Sequence, residues 1–576
     1  MKHHKLFLFF LLILLPLHKL FAQIAIPIGY FSSPLDIELT ITGSFSEVRS
    51  NHFHSGIDFS VQQKVGLPVF AVADGVVSRI KVSPVGFGNA LYIDHPNGFT
   101  SVYAHLYGYN DTITSYLRTN QYKVRSFEVD LFPKNKKEYI NIKKGQIIGY
   151  AGNSGSSGGA HLHFELRNTT TENIINPLLF GFIIPDKYPP IIDFLKIYPE
   201  DDNSFIGKSN DPIRLNLKKS GNREYRLSTK DTISLWGNFS FGLQAFDFNQ
   251  SPNNRNGFYE LRMFIDSTEF FVMVCDSFAF AESRYVNASI DYAENYKTGN
   301  RIIKSKKLAG NKLSFSNTET NRGVLALNDT KTHEINVLVG DVSGNTTKLK
   351  FWVKPQKPIG VVQVPFVTDS DSNIFFKYNK INKFETKDLK VELPLGSIYE
   401  DLVFQYRKAS GSNSFFSEVH YLHDVETPIH NRIRISIKPT NLPQRLQSKA
   451  MLVRVDKNGK RSPAGGSYEN GFVSSTTNIF DGFAITVDTI PPSIKPWAGN
   501  DKSKTYLKFT VSDNFSGIKT YKGTINDKWV LVEWDPKNKL MTYKFDNMVE
   551  TGTNTFILHL EDEKGNNSSY TSTIIK

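Results

Sequence analysis

The sequence predicts an all-β protein built from several modules. Segments rich in β-branched and aromatic residues alternate with period two and end at Gly, Asn or Pro turns, as in "LPVFAVADGVVSRIKV" and "AHLHFELR". At about 150 residues per domain, 576 residues are too many for one hydrophobic core and indicate about four domains. The best helix candidate is the short stretch Thr114–Lys123, within an insertion.

The first 22 residues have the pattern of a signal peptide. Lys2 and Lys5 precede the apolar run Leu6–Leu17, which is too short to span a bilayer. Cleavage is expected after Ala22, so the chain is expected to be exported to the periplasm, the cell surface or the extracellular space. No later segment is long and apolar enough for a membrane span, so the mature chain should contain no integral membrane segment.

Charge and cysteine content argue against a nucleic-acid-binding protein and against a fold held by disulfides. The formal net charge is +12, and removal of the three lysines of the leader leaves +9. These cations are scattered rather than clustered, which argues against nucleic-acid binding. The single cysteine, Cys275, forms no intramolecular disulfide and lies in an apolar run, where we expect a buried, inert thiol.

Two Pro-Pro segments mark module boundaries, at Asp186–Ile192 and Asp488–Ile494. Each opens a unit with a strand ending in Asp and a final Asp-x-x-Gly-Asn hairpin, at Asp341–Asn345 and Asp562–Asn566. Both units resemble the immunoglobulin-like modules of bacterial surface and exported proteins, and a β-sandwich of less certain type lies between them. The predicted divisions are 23–184, 185–354, 355–487 and 488–576.

The histidines near the N-terminus have spacings typical of a metal site. "HFHSGIDF" contains His54 and Asp58, and "GGAHLHFELR" contains His161 and His163. Side chains two apart on a strand project from one face, so His161 and His163 can both reach one site. Catalytic zinc takes three protein ligands and leaves a fourth position for water, and His54, Asp58 and His163 supply that set.

Peptide hydrolysis at such a centre also requires groups that accept a proton and stabilise an oxyanion. His161 and His105, the latter in "SVYAHLYGY", are the candidates. We expect His161 to act as the general base and His105 to stabilise the intermediate, although the sequence leaves open which of the two is the base.

The same residues carry a family resemblance. From about Ser50 to Phe180 the chain contains, in order, "HSGID", "GLPVFAVADGVV", "YAHL", "KKGQIIGYAGNSGSSGG" and "HLHFE". This stretch resembles the lysostaphin/LytM-type zinc metallopeptidases, which cleave peptide bonds of peptidoglycan. The resemblance implies a lysostaphin-like antiparallel β domain with the duplicated hybrid motif and one zinc ion. It also implies three ligands and two catalytic histidines: His54, Asp58 and His163, with His161 and His105.

Two features lie beside this predicted site. The Gly/Ser run 152–159 is expected to line the cleft, with Asn153 and Ser154 as candidate substrate contacts. An insertion at about 108–141 separates "YAHL" from "KKGQ", where the family has only a brief connection. Such an insertion could narrow the cleft, select a peptide or cover the metal.

The leading hypothesis is an exported zinc endopeptidase that hydrolyses peptidoglycan cross-links in cell-wall remodelling. The alternative is a non-catalytic LytM-like regulator or wall-binding scaffold that acts through its β modules, which could also bind proteins of the cell envelope. A third interpretation follows from the resemblance of the sheet pattern to sugar-phosphotransferase carrier domains, and export argues against it because phosphoryl donors are cytoplasmic.

Overall fold

The computed structural model describes residues 25–133, 138–249, 254–318, 321–359, 374–412, 414–500 and 505–576. Its elements are overwhelmingly strands, which confirms the all-β class. The predicted signal peptide, 1–22, lies outside these residues. Across the described ranges, no helix has both the length and the apolar character needed to cross a membrane.

The N-terminal domain is organised around an antiparallel sheet in which long, apolar strands occupy the middle. Its strands, in spatial order, are Ile41–Gly43, Ile57–Ser60, His161–Asn168, Phe99–Ala104, Asn89–Asp94, Gly75–Val82 and Val129–Leu131. Short strands extend it: Asn141–Ile142 pairs with Gly75–Val82, and Ile174–Ile175 pairs with His161–Asn168. A three-stranded sheet (Pro68–Phe70, Ile147–Tyr150, Gly108–Tyr109) and a hairpin (Val48–Arg49, His52–Phe53) complete the strands of this domain.

The insertion contains the predicted helix. The insertion helix runs from Asp111 to Val124, so the prediction at Thr114–Lys123 is confirmed and extends by a few residues at the N-terminal end. The Asn110 side chain accepts a hydrogen bond from the Ile113 amide as the N-cap. Apolar side chains at helical spacing, Ile113 and Leu117, bury one face against the domain.

The next segment is continuous with the N-terminal domain. Its strand Ser277–Phe278 pairs with Ile174–Ile175, which joins the two sheets. Its main sheet contains Phe205–Ile206, Thr232–Phe246, Ile191–Pro199, Ile213–Gly221, Glu224–Leu227, Thr346–Pro355, His333–Gly340, Glu260–Ile265, Thr268–Val274 and Ser316–Asn317, with Ile303–Lys304 and Leu325–Leu327 paired to Thr232–Phe246. Parallel pairing of Thr232–Phe246 with Thr346–Pro355 closes part of this sheet on itself. Short helices lie at Val286–Ser289 and Tyr292–Thr298, and single turns lie at Pro177–Phe180, Phe280–Tyr285 and Asn321–Gly323.

The remaining chain forms two pairs of antiparallel sheets. In the first pair, one sheet contains Asn382–Glu385, Leu389–Leu393, Ile433–Ile437, Phe472–Thr477 and Ser467–Glu469. The other sheet contains Tyr406–Ala409, Val419–Leu422, Gly482–Val487, Ala450–Val455 and Arg461–Gly465. Ile374–Phe376 and Leu402–Phe404 form a separate two-stranded sheet, and Gln444–Lys449 is a short 3₁₀ helix. The second pair is Ser493–Pro496, Tyr506–Ser512, Leu540–Lys544 and Val532–Asp535 with Lys528–Val530, Ile518–Ile525, Thr553–Asp562 and Asn567–Ile575. Alternating buried and exposed residues, as in Thr553–Asp562, place one face of each sheet in the core.

The buried apolar side chains form three main clusters, fewer than the four domains predicted from the sequence. One continuous cluster runs from Phe31 to Val353 and serves both the N-terminal domain and the segment that follows it. The two pairs of sheets have their own clusters. The N-terminal domain and the segment that follows it therefore share one hydrophobic core. The predicted domain division at 184/185 stays a prediction.

Candidate metal centre

Three adjacent strands carry the predicted site. His161–Asn168 lies between Ile57–Ser60 and Phe99–Ala104, and His163 is directly opposite Asp58 on one side and Ala104 on the other. Because side chains alternate along a strand, His161 and His163 share one face of the sheet. His105 follows Ala104 in a left-handed backbone conformation (φ 58°), which ends the strand and turns the imidazole toward the same face.

The three predicted ligands meet at one point. Asp58 Oδ1 lies 2.9 Å from His163 Nδ1 and 3.0 Å from His54 Nε2, and the two imidazole nitrogens are 3.0 Å apart. All three side chains are buried. This arrangement of two nitrogens and one carboxylate oxygen can hold a metal ion.

Hydrogen bonds on the far sides of the rings define the tautomers. His54 Nδ1 lies 2.8 Å from the carbonyl oxygen of Ser44, which only accepts, so Nδ1 carries the hydrogen. His163 Nε2 lies 3.0 Å from Glu165 Oε1 and likewise donates. The lone pairs of the other two nitrogens therefore point at Asp58, and three acceptors without enough protons converge there. That donor set fits zinc, with Ser44 and Glu165 orienting the ligands.

The charges around the ligands are strongly coupled. Burial opposes ionisation of Asp58, but the neighbouring imidazoles His54, His161 and His163 outweigh it and hold the pKa of that carboxyl well below its usual range. Burial likewise disfavours charged His163, yet hydrogen bonds with Asp58 and Glu165 raise its pKa to about 9. Protonation of His163 and binding of a cation therefore compete for the same ring nitrogen.

Glu165 is the last residue of the "HLHFE" motif, and the sequence alone gave it no role. It is completely buried, and its pKa falls to about 2 because the charge of Arg167 and the hydrogen bond from His163 outweigh the effect of burial. Arg167 Nε donates to Glu165 Oε2 over 2.7 Å. The sequence does place Glu165 two residues after His163, and therefore on the same face of the strand, which could have indicated that the two side chains are in contact. Arg49, whose Nη2 donates to Asp58 Oδ2 over 3.2 Å, had no such signal.

His161 and His105 flank the ligands. Their ring centroids are 4.9 Å apart, and His161 Nε2 lies 3.4 Å from Asp58 Oδ1. His161 Nδ1 donates to the Gly159 carbonyl over 2.9 Å, and His105 Nδ1 donates to the Ser154 carbonyl over 2.8 Å. Both Nε2 atoms therefore carry lone pairs when the rings are neutral. Burial, followed by the charges of His163 and His161, lowers the pKa of His105 to about 3.

The glycine- and serine-rich loop supports the two histidines. Ser154 holds His105 through its carbonyl, while its hydroxyl accepts a hydrogen bond from the Asn89 amide over 2.9 Å. Asn153 is contacted from the far end of the chain, because Lys537 Nζ donates to Asn153 Oδ1 over 3.0 Å and to the Ser157 carbonyl over 2.9 Å. The predicted role of Asn153 and Ser154 in binding substrate stays a prediction.

Comparisons with known proteins find similarities to parts of this chain. Residues 52–121 match the family model of peptidase family M23, and residues 373–488 match that of the Zu5-like domain. The chain is 30% identical over 166 residues to the DD-carboxypeptidase/endopeptidase Mpg of Neisseria meningitidis serogroup B, covering 29% of each chain. It is 30% identical over 139 residues to the peptidoglycan DD-endopeptidase ShyA of Vibrio cholerae, covering 23% of this chain and 26% of ShyA. The chain thus spans less than a third of the length of these curated relatives.

Solved structures are similar to about a quarter of the chain. The catalytic domain of the prophage-encoded M23 protein EnpA from Enterococcus faecalis is 23% identical, with a TM-score of 0.19, covering 27% of this chain and 98% of that one. A zinc-containing peptidase from Vibrio cholerae is 25% identical, with a TM-score of 0.20, covering 27% of this chain and 41% of that one.

Proposed function

We propose that this chain, which carries a peptidase M23 domain of the LytM type, is an exported zinc metalloendopeptidase. In this proposal the enzyme hydrolyses peptide cross-links of peptidoglycan. The observation that carries the proposal is the convergence of His54 Nε2, Asp58 Oδ1 and His163 Nδ1, flanked by two histidines, His161 and His105, whose Nδ1 atoms are held by backbone carbonyls. The name of the relative ShyA in Vibrio cholerae supports peptidoglycan as the substrate, and the name of the relative Mpg in Neisseria supports endopeptidase activity. The leader-like residues 1–22 support export.

In the proposed hydrolysis, zinc would act as the Lewis acid and His161 would transfer the proton. Zinc held by His54, Asp58 and His163 supplies a Lewis acid that polarises a carbonyl group and acidifies water. We assign His161 as the general base, because its Nε2 lies against the ligand set while its Nδ1–H is held by Gly159. It accepts a proton at Nε2 and returns it to the leaving amine.

His105 takes a different part in this assignment. Its low pKa keeps the ring neutral, and its only hydrogen is on Nδ1, bound to Ser154. Its Nε2 therefore accepts a hydrogen bond and orients the attacking water. Donation to an oxyanion, the role expected from the sequence, requires Nε2 to carry a proton first.

The experiment uses the chain from residue 23 onward, loaded with zinc and incubated with cross-linked muropeptides. We expect dimeric muropeptides to be converted to monomers, as followed by mass analysis, and we expect His163→Ala to abolish both zinc binding and cleavage. His52→Ala, which changes an exposed histidine outside the ligand set, serves as the control and should keep both. An inactive wild-type chain that binds zinc would contradict the proposal.

A specific contact favours the second candidate, a non-catalytic regulator or scaffold. Lys537 of the last module lies against the loop that holds His105 and His161. If regulation is the function, the wild-type chain should bind sacculi and fail to cut them in the presence of stoichiometric zinc. Zinc analysis combined with sedimentation of sacculi distinguishes the two candidates.

A further inference from the structure

Three aspartates come together where the N-terminal domain joins the next segment. Asp186 lies in the connection before the first Pro-Pro pair, Asp247 directly follows the strand Thr232–Phe246, and Asp341 directly follows the strand His333–Gly340. One carboxylate oxygen from each lies within 4.8 Å of the others. We call these three residues the junction cluster; it shares no residue with the metal centre described above.

One oxygen of the cluster has no partner. Asp247 is only 4% exposed, and its Oδ1 is buried without a hydrogen bond. Among the described residues, no lysine or arginine forms an ion pair with any member of the cluster. Burial of a carboxylate oxygen without a partner is strongly unfavourable, so Asp247 Oδ1 is a candidate ligand for a cation.

The other two carboxylates are already oriented toward the same point. Asp186 accepts hydrogen bonds from the Tyr188 amide and from Asn249 Nδ2, over 3.2 and 3.1 Å. Asp341 accepts from the amide and the side chain of Asn345, both over 2.8 Å. Burial, together with the charges of Asp186 and Asp341, raises the pKa of Asp247 to about 8. The three carboxylates are thus held together in spite of their mutual repulsion.

The last module repeats this arrangement. Asp488, Asp513 and Asp562 occupy the corresponding places before the second Pro-Pro pair, after a strand and at the final hairpin. Asp488 accepts from the amide two residues later, as Asp186 does, and Asp562 accepts from the amide and side chain of Asn566, as Asp341 does from Asn345. Two sets of residues far apart in the chain therefore form the same constellation.

We propose that Asp186, Asp247 and Asp341 bind one divalent cation of the calcium class. All three side chains offer hard oxygen ligands, the donor type that Ca²⁺ prefers, and the cluster contains no sulfur or imidazole that would favour zinc. All three aspartates line one cavity of about 20 Å³, enough for one water-sized species. Further oxygens on its wall come from Asn249 and Ser343.

The position of the cation gives it a structural role. Asn176 and Leu178 of the N-terminal domain line the same cavity as Asp247 and Asp341. The ion would therefore tie the connection at Asp186 to the ends of two strands and stiffen the junction behind the peptidase sheet. This inference does not depend on the proposed peptidase activity.

The experiment is a calorimetric titration of the zinc-saturated chain with CaCl2 to about 5 mM, above the dissociation constants of extracellular calcium modules. We expect Asp247→Asn to bind one Ca²⁺ per chain fewer than the wild type. Asp202→Asn, which changes an exposed aspartate in a turn of the same segment, should bind the same number as the wild type. Equal stoichiometry in wild type and Asp247→Asn, or no binding of Ca²⁺ by the wild type, would overturn the proposal.

Thermal unfolding separates loss of the site from loss of the fold. The unfolding temperature of the wild type should rise by several degrees with calcium, because the ion binds only the folded state. Without calcium, Asp247→Asn should unfold at the wild-type temperature or above, because it replaces a carboxyl whose ionisation is opposed by burial and by Asp186 and Asp341 with a neutral amide. A wild-type unfolding temperature that calcium leaves unchanged would also refute the site.

Discussion

Glu165 shows how a residue outside the three proposed ligands shapes the candidate metal centre. It is buried between His163 and Arg167, so its charge fixes the hydrogen on His163 Nε2 and leaves Nδ1 free for a cation. The ring could otherwise present either nitrogen, and only this contact selects one.

Glu165→Gln should therefore weaken zinc binding. The neutral amide accepts a weaker hydrogen bond from His163 and leaves the buried Arg167 without its counter-charge, so we expect zinc affinity to fall by about 10–100-fold. Competition with a chromogenic chelator measures the effect. The exposed Glu172→Gln is the matched control, and equal affinity in both variants would refute the role given to Glu165.

His161→Ala tests the division of labour between binding and catalysis. Because His161 is a proton acceptor in our assignment and not a ligand, the variant should retain stoichiometric zinc while kcat falls by about 10²–10⁴-fold. Metal analysis and the muropeptide assay on one preparation provide both readouts. Loss of zinc in this variant would show instead that His161 is a ligand.

At the scale of elements, the insertion helix connects distant parts of the chain. Its inner face is buried against the N-terminal domain, while the Tyr122 ring packs edge-on against Trp529 at 5.1 Å. The Tyr122 hydroxyl also donates to Asp546. The insertion thus contacts the last module, and the three roles considered from the sequence stay predictions.

Trp529→Ala should release the last module. Removing the ring leaves the insertion helix without its main aromatic partner, so the radius of gyration in small-angle X-ray scattering should increase while zinc binding stays at the wild-type level. Trp497→Ala removes a half-exposed tryptophan of the same module and is the control. An unchanged scattering profile in Trp529→Ala would show that other contacts hold the module.

At the scale of the whole molecule, the last module borders the candidate cleft. A groove of about 500 Å³ lies between it and the N-terminal domain, with Asn153 and Ser154 on one wall and Asp535 and Asn538 on the other. Substrate that reaches the histidines from this side must pass between the two. The two walls of this groove thus come from residues nearly 400 positions apart along the chain.

Lys537→Ala should open this groove. The variant loses the contacts of the Lys537 ammonium group with Asn153 and Ser157, so we expect a higher kcat/KM on intact sacculi and no change on a short soluble peptide. Lys522→Ala, at an exposed lysine of the same module, should behave as the wild type. An equal increase on both substrates would indicate a change in the histidines themselves.

The sequence predicted the site well where the signal was local. His161 and His163 share a face because strand side chains alternate, and the prediction that they approach His54 and Asp58 is confirmed by the pairing of their strands. The insertion helix was likewise predicted from its own residues. Arg49 and Lys537 were missed, because no periodicity relates either residue to the side chains that it contacts.

The sequence by itself determined the all-β class and the repeated aspartate hairpins, since both follow from residue types at short, regular spacing, and it supplied the candidate ligands His54, Asp58 and His163. The tertiary structure decided which nitrogen of each candidate histidine faces Asp58, how the last module meets the cleft and where Asp186, Asp247 and Asp341 converge. The physical reason is that hydrogen-bond partners and buried charges come from strands distant in sequence. Only packing of the folded chain brings those strands together.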